Sequence, residues 1–199
     1  MQHAVVIDAV RTPIGRAHAE KGYYRDVRAD DLSGDLMHAL LERVRIPASM
    51  VEDIHWGCVK QEREQGYDVA RMAALIAGFP IEVGGATVNR NCGSSLQAIH
   101  QTAQSIAAAC EDIQIAGGVE HMHHLPMEEG FDLSPRFQYR HSIATQHMGL
   151  TAENLARKYR IGRREQDEFA LRSHQKAAQA TDLGAFKNEI VPTWGRDEE

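Results

Sequence analysis

Apolar residues recur along this chain in two alternating rhythms, and the alternation predicts a layered arrangement of strands and helices. Ala4-Val-Val-Ile7 is a short β-branched run ending at Asp8 and reads as a buried strand. Arg11-Thr-Pro-Ile-Gly15 follows, where Pro and Gly mark a loop. Leu32, Leu36, Leu40, Leu41 and Val44 then fall on one helical face. Asp30 and Asp31 stand at the start of that helix, where its dipole favours acids, and Pro47 comes just after its end. Asp53 to Val59 is the next strand. Val69 to Ala77, rich in Ala, Met and Leu, is a helix closed by Gly78 and Pro80, and Ala86-Thr-Val88 is a third strand. Cys92 opens a long segment without proline. Leu96, Ile99, Ala103, Ile106 and Cys110 step along it by three and four and define one face, while Ala98, Ala107, Ala108 and Ala109 add small residues elsewhere. This pattern predicts a helix buried on most sides, with Cys110 and the mid-strand Cys58 as core residues. Ile113-Gln-Ile-Ala116 is a fourth strand, stopped by Gly117-Gly118.

Strands and helices alternating at this interval predict the α/β class, with α/β/α layers around a mixed, largely parallel sheet. The texture changes after Glu120. Residues 121–147 hold Pro126, Gly130, Pro135 and a group of histidines without a clear period, and read as an extended loop region. Two helices follow. Thr151 caps the first, which carries Leu155, Ala156 and Tyr159; the second runs from about Arg163 to about Ala180, with Phe169, Leu171, Ala177 and Ala178. Glu189-Ile-Val-Pro192 reads as a strand start. The expected division is a core over residues 1–120 and a helical loop domain over residues 121–199 that ends abruptly. No internal repeat interrupts this order.

Composition narrows the function classes. Of 199 residues, 43% are hydrophobic and 25% charged, ordinary values for a globular protein that buries a real core. A formal net charge of -6 argues against nucleic-acid binding, and an anionic ligand would need a local basic pocket. Three cysteines without paired spacing argue against a disulfide framework and for a reducing compartment. The N-terminus has no basic region followed by a long apolar run, and no apolar stretch approaches the roughly 20 residues of a membrane span. A soluble, cytoplasmic protein without a membrane span is expected. Eleven histidines raise the question of metal, but His121, His123 and His124 match no zinc spacing and no acid or Cys pair completes a tetrahedral set. No metal is expected, and these histidines read as solvated. Arg163-Arg164 reads as a surface pair, and Gly117-Gly118 lacks the spacing and following helix of a dinucleotide fingerprint.

The segment that carries chemistry is Val88-Asn-Arg-Asn-Cys-Gly-Ser-Ser-Leu-Gln-Ala-Ile99. It places Cys92 where a strand hands over to a helix. Helix N-termini present unpaired N–H groups and a partial positive charge, which favour thiolate over thiol and can bind an oxyanion formed when sulfur attacks a carbonyl. Gly93, Ser94 and Ser95 are small enough for a substrate carbonyl to approach the backbone. A buried packing cysteine is the alternative reading of position alone.

Asn89-Arg-Asn-Cys92-Gly-Ser-Ser-Leu-Gln-Ala resembles the active-site signature of thiolases. Asp8-Ala-Val-Arg-Thr-Pro-Ile-Gly-Arg16, Gly117-Gly-Val-Glu-His-Met122, His147-Met-Gly-Leu-Thr-Ala-Glu-Asn154, Gln166 to Gln175 and Phe186 to Pro192 are similar to further family segments, in the family's order. Trp56-Gly-Cys-Val59 and Gly118 to Met127 look closest to the small subunit of the bacterial fatty-acid oxidation complex, a 3-ketoacyl-CoA thiolase. Ser95 stands where many thiolases have Gly, a mark of that subfamily. The resemblance implies a thiolase-like fold and an acetyl-CoA C-acyltransferase of β-oxidation. Cys92 would be the nucleophile, and His147 and Met148 would line the pantetheine path. Coenzyme A would be a substrate, with no permanently bound cofactor. The implied partners are 3-ketoacyl-CoA, CoA, further copies of the chain in a homo-oligomer, and the large subunit of the complex. Thiolases also use a Gly-His-Pro histidine, a second cysteine and an Asn-Glu-Ala-Phe segment, none of which is in this sequence, so the chain is expected to be nearly inactive alone. A biosynthetic acetoacetyl-CoA thiolase, a ketoacyl synthase and a non-catalytic subunit acting in assembly remain open.

Overall fold

The computed structural model describes residues 3–18, 20–130 and 132–195. Residues 196–199, the end of the expected second domain, lie outside the described residues. The chain forms two compact units: residues 1–127 with 189–199, and residues 128–188.

The first unit is built on a three-stranded parallel sheet. Its strands are β1 (Asp53–Gly57), β2 (Ala86–Val88) and β3 (Gln114–Gly118), in the order β2-β1-β3. Register pairs His55 with Ala86 on one side and with Ala116 on the other. Parallel neighbours need crossovers, and helices supply them. In chain order the helices are α1 (Ala29–Val44), α2 (Val69–Ile76) and α3 (Ser94–Ala107). Alternation along β1 sends Ile54 and Trp56 into a core with Met37 and Leu41 of α1 and Val69, Ala70, Ala73 and Ala74 of α2. The intervening residues of β1 face α3: His55 Nδ1 lies 3.4 Å from Thr102 Oγ1. The result is the expected α/β/α layering. Trp56 also donates its indole N–H to Ser33 Oγ at 3.2 Å, so the one polar atom of the core indole is satisfied.

Several expectations are corrected. Ala4–Ile7 is not a strand: Val5, Val6 and Ile7 are 76%, 81% and 66% exposed. A β-branched run becomes a strand only where a ladder partner exists. Near it Arg11 makes a single parallel bridge with Ile190, and the Glu189–Pro192 strand start is likewise reduced to that bridge. The apolar stripe of α3 is not its buried face. Ser94 and Ala98 are buried, whereas Leu96 and Ile99 are 57% and 45% exposed. Small side chains face the sheet because α3 lies close against β1 and β3. Cys110 is exposed, since α3 ends at Ala107 and Ala109 turns the chain with φ 57°.

The second unit carries a short helix α4 (Pro135–Gln138), then α5 (Met148–Tyr159) and α6 (Arg163–Asp182). Thr151 is not the cap of α5. His147 holds the N-cap position, and the Thr151 hydroxyl donates back to the His147 carbonyl at 3.3 Å from inside the first turn. Neither α5 nor α6 has a buried residue, so Phe169 and Leu171 stand exposed. Arg163 and Arg164 each hold an acid one turn on, Asp167 and Glu168. Among the described residues no helix is long and apolar enough to cross a membrane.

Candidate active site

β2 runs directly into the turn that bears Cys92, and two polar side chains, of Asn89 and Ser94, shape that turn. Asn89 Nδ2 donates to the Val59 carbonyl at 3.1 Å, just beyond β1, while Asn89 Oδ1 accepts the Asn91 N–H at 2.9 Å. Asn91 takes a positive φ of 47°, which an Asn tolerates better than most residues. Ser94 Oγ accepts the Arg90 N–H at 2.9 Å and donates to the Asn91 carbonyl at 2.5 Å. The turn is thus closed from both ends, with Cys92 at its exposed crest.

The first turn of α3 presses on the sheet. A Cβ on Gly57 would lie 2.6 Å from the Ser94 carbonyl carbon, and one on Gly118 would lie 2.5 Å from the Gly57 oxygen. Only glycines at these two strand ends let the helix start there. Cys92 therefore lies at the carboxyl edge of a parallel sheet beside a helix N-terminus, the place where open α/β sheets bind ligands.

A hydrogen-bond network centred on the buried Gln65 braces the same edge. Glu120, following β3, accepts the N–H groups of Val59 at 2.9 Å and Lys60 at 3.2 Å. Gln65, fully buried, donates to Glu120 at 2.9 Å and to the Lys60 carbonyl at 2.7 Å, and accepts the His121 N–H at 2.6 Å. Sequence pattern gave no hint of this role. Gln65 sits in a polar run that reads as loop, and its burial depends on partners 55 and 56 residues away.

The other sequence-derived candidates fall elsewhere. His147 and Met148 belong to the second unit, with Met148 exposed. His121 and His124 are not solvated as expected: His121 is buried and stacks on His124, and their ring nitrogens have protein partners. Cys58 is a core residue, as read. Burial, and then the charge of Glu120, push its thiol up to about 12. Iodoacetamide at pH 8 should therefore label Cys92 and Cys110 in the folded chain and spare Cys58 until the chain is unfolded, as peptide mass mapping would show. Labelling of Cys58 at the rate of the other two would contradict this packing.

Comparison with known proteins adds the lineage. The model of the thiolase N-terminal domain matches residues 4–199. A protein named 3-ketoacyl-CoA thiolase from Pectobacterium carotovorum subsp. carotovorum (strain PC1) is 50% identical over 198 residues, covering 99% of this chain and 51% of that protein. One of the same name from Vibrio vulnificus (strain CMCP6) is 50% identical over 196 residues, covering 98% of this chain and 50% of that protein. The chain spans about half the length of the curated relatives it matches.

Proposed function

This chain belongs to the thiolase family through its N-terminal domain, and from that premise we propose that it carries the nucleophile of a 3-ketoacyl-CoA thiolase. The observation that supports this most is the braced, solvent-open Cys92 at the start of α3. Its thiolate attacks the 3-keto carbonyl of a 3-ketoacyl-CoA, with the backbone N–H of Cys92 as one donor to the oxyanion. The bond between C2 and C3 then breaks and its electron pair leaves as the acetyl-CoA enolate, which takes up a proton. The acyl group stays on Cys92 as a thioester. Thiolate of free CoA attacks that thioester, expels the Cys92 thiolate and leaves as an acyl-CoA two carbons shorter.

In this reading residues 1–120 supply the nucleophile, and residues 121–199 supply CoA binding and oligomer contacts, with His147 and Met148 along the pantetheine path. Coenzyme A is a substrate, no cofactor is resident, and the setting is cytoplasmic β-oxidation beside the large subunit of the oxidation complex. The uncovered Leu96 and Ile99 stripe of α3 favours a second statement: the complete site needs further polypeptide packed on that face. The chain alone then forms an acyl-enzyme without turning over.

The test is intact-mass spectrometry of the 199-residue chain incubated with acetyl-CoA or octanoyl-CoA. The expected result is one hydroxylamine-labile acyl adduct mapping to Cys92, absent from Cys92→Ala, with no measurable thiolysis. Absence of an adduct, or one that maps to Cys110, refutes the acyl-carrier role. Sustained thiolysis by the chain alone refutes the need for more polypeptide.

A further inference from the structure

His124 has a hydrogen-bond acceptor at each ring nitrogen. Nδ1 lies 2.9 Å from Oε1 of Glu64, and Nε2 lies 2.6 Å from the Arg25 carbonyl oxygen. A backbone carbonyl only accepts, and so does an ionised carboxylate. A neutral imidazole has one N–H, so one of these contacts would set lone pair against lone pair. An imidazolium has two N–H groups and satisfies both. His121 shows the opposite pattern: Nε2 faces the Tyr24 carbonyl at 2.9 Å, while Nδ1 accepts the His124 backbone N–H at 3.2 Å. There one partner accepts and the other donates, so a single ring N–H serves both contacts. The two rings stack at 3.9 Å and 14°.

A metal ion explains the cluster less well. Ligand atoms of Glu64, His121 and His124 lie within 4.8 Å of one another. Yet the in-plane lone pairs of near-parallel rings run side by side and do not converge, and all four ring nitrogens are already engaged.

We propose that His124 is a proton-held latch: its imidazolium ties Glu64 to the Tyr24–Arg25 segment, and losing one ring proton breaks one of these two bonds and loosens that segment against the His121–Leu125 turn, leaving the His121–Tyr24 bond to hold it. Three elements meet here. Glu64 lies in the short helical turn Arg63–Gln65 and also caps α1 through the Ala29 N–H at 2.8 Å. Arg25 lies in the loop that enters α1. His124 follows β3, and its carbonyl accepts from Arg63 Nη1 at 3.1 Å. The joined segments wall a cavity of about 240 Å³, with Tyr24 and Arg25 on one side and Glu120, His121 and His123 on another. The latch adds to the His121–Tyr24 bond in holding those walls together.

The surrounding charges agree with the geometry. Burial opposes the His124 charge, but the bonds to Arg25 and Glu64 and the Glu64 carboxylate outweigh it and raise its pKa. Arg28, entering α1, works against it and is itself held by Asp30 at 2.7 Å. Arg25 is paired with Asp26 at 2.9 Å. His123 is pushed down, first by burial and then by His124, His121 and Arg25. Because the folded pKa of His124 is raised, its contribution to stability is complete below the unfolded value of about 6.5. That contribution is lost as pH rises through the folded value.

The test is a pH titration of the 199-residue chain by long-range ¹H–¹⁵N spectroscopy, with amide exchange in parallel. His124 should show both ring nitrogens protonated below its midpoint, that midpoint should lie above the ordinary histidine value of about 6.5, and Glu64→Gln should lower it. Protection of the Val27 and Leu125 amides, which bond to Tyr24 and His121, should fall roughly tenfold across that midpoint after correction for intrinsic chemistry. A midpoint at or below the ordinary value, or protection that ignores the midpoint, overturns the latch. Where Glu64→Gln does not fold, the wild-type titration and exchange decide alone.

Discussion

Gly57→Ala is expected to destabilise the first unit by about 3 kcal/mol and to loosen the Cys92 turn. The position is the last residue of the central strand, and α3 begins against it. A methyl there would meet the Ser94 carbonyl carbon at 2.6 Å and the Ser95 Cα at 2.8 Å. These are backbone atoms at a helix start, so no rotamer change relieves the clash, and the helix must lift. Lifting it breaks contacts along the whole of α3 with β1 and β3, and it moves Ser94, which closes the turn around Asn91. Gly93→Ala is the control. Its added Cβ would meet nothing closer than the Arg90 oxygen at 3.4 Å, an ordinary contact. Urea unfolding followed through Trp56, a buried indole of the core, reads the stability loss. The rate of Cys92 alkylation reads the turn. A midpoint for Gly57→Ala equal to that of Gly93→Ala would show that the helix start does not rest on the strand end.

How much of this was legible beforehand follows from where each signal lives. α1, α2, α3 and β1 to β3 each carry a local period over their own residues, and each formed within a few residues of its expected limits. Ala4–Ile7 has an equally clear β-branched signature. It failed because a strand is a relation between two segments, and the described residues near it offer one bridge. The α3 stripe failed for a related reason. Periodicity locates a face but not what covers it, and the close approach permitted by Gly57 and Gly118 selects Ser94 and Ala98 for the sheet side. The placement of Cys92 between a strand and a helix start was legible because strand, turn and helix adjoin in sequence. Gln65, Glu120 and His124 were not, because each is defined by partners about 55 to 100 residues away.

The second large effect tests that long-range bracing. Gln65→Ala should cost about 3 kcal/mol, or roughly 10 °C in the unfolding of the first unit. The side chain is fully buried and its amide serves four groups: Lys60 O, Glu120 Oε1, Cys58 Sγ and His121 N–H. Truncation leaves the His121 N–H and the Lys60 carbonyl without that partner and opens a cavity beside the core. The damage should also travel. Glu120 loses a donor, Glu120 holds Val59, and the Val59 carbonyl anchors Asn89, which shapes the Cys92 turn. Gln65→Glu separates packing from hydrogen bonding. It keeps the volume but sets a second carboxylate against Glu120 and removes the donors, so it should be the worse variant at neutral pH. Acid should partly rescue it, since a protonated carboxyl donates again. Thermal unfolding between pH 5 and 8 for both variants, with Cys92 alkylation rates beside it, reads every arm. A loss under about 1 kcal/mol for Gln65→Ala, with alkylation unchanged, would mean that water replaces the amide and that Asn89 holds the turn unaided.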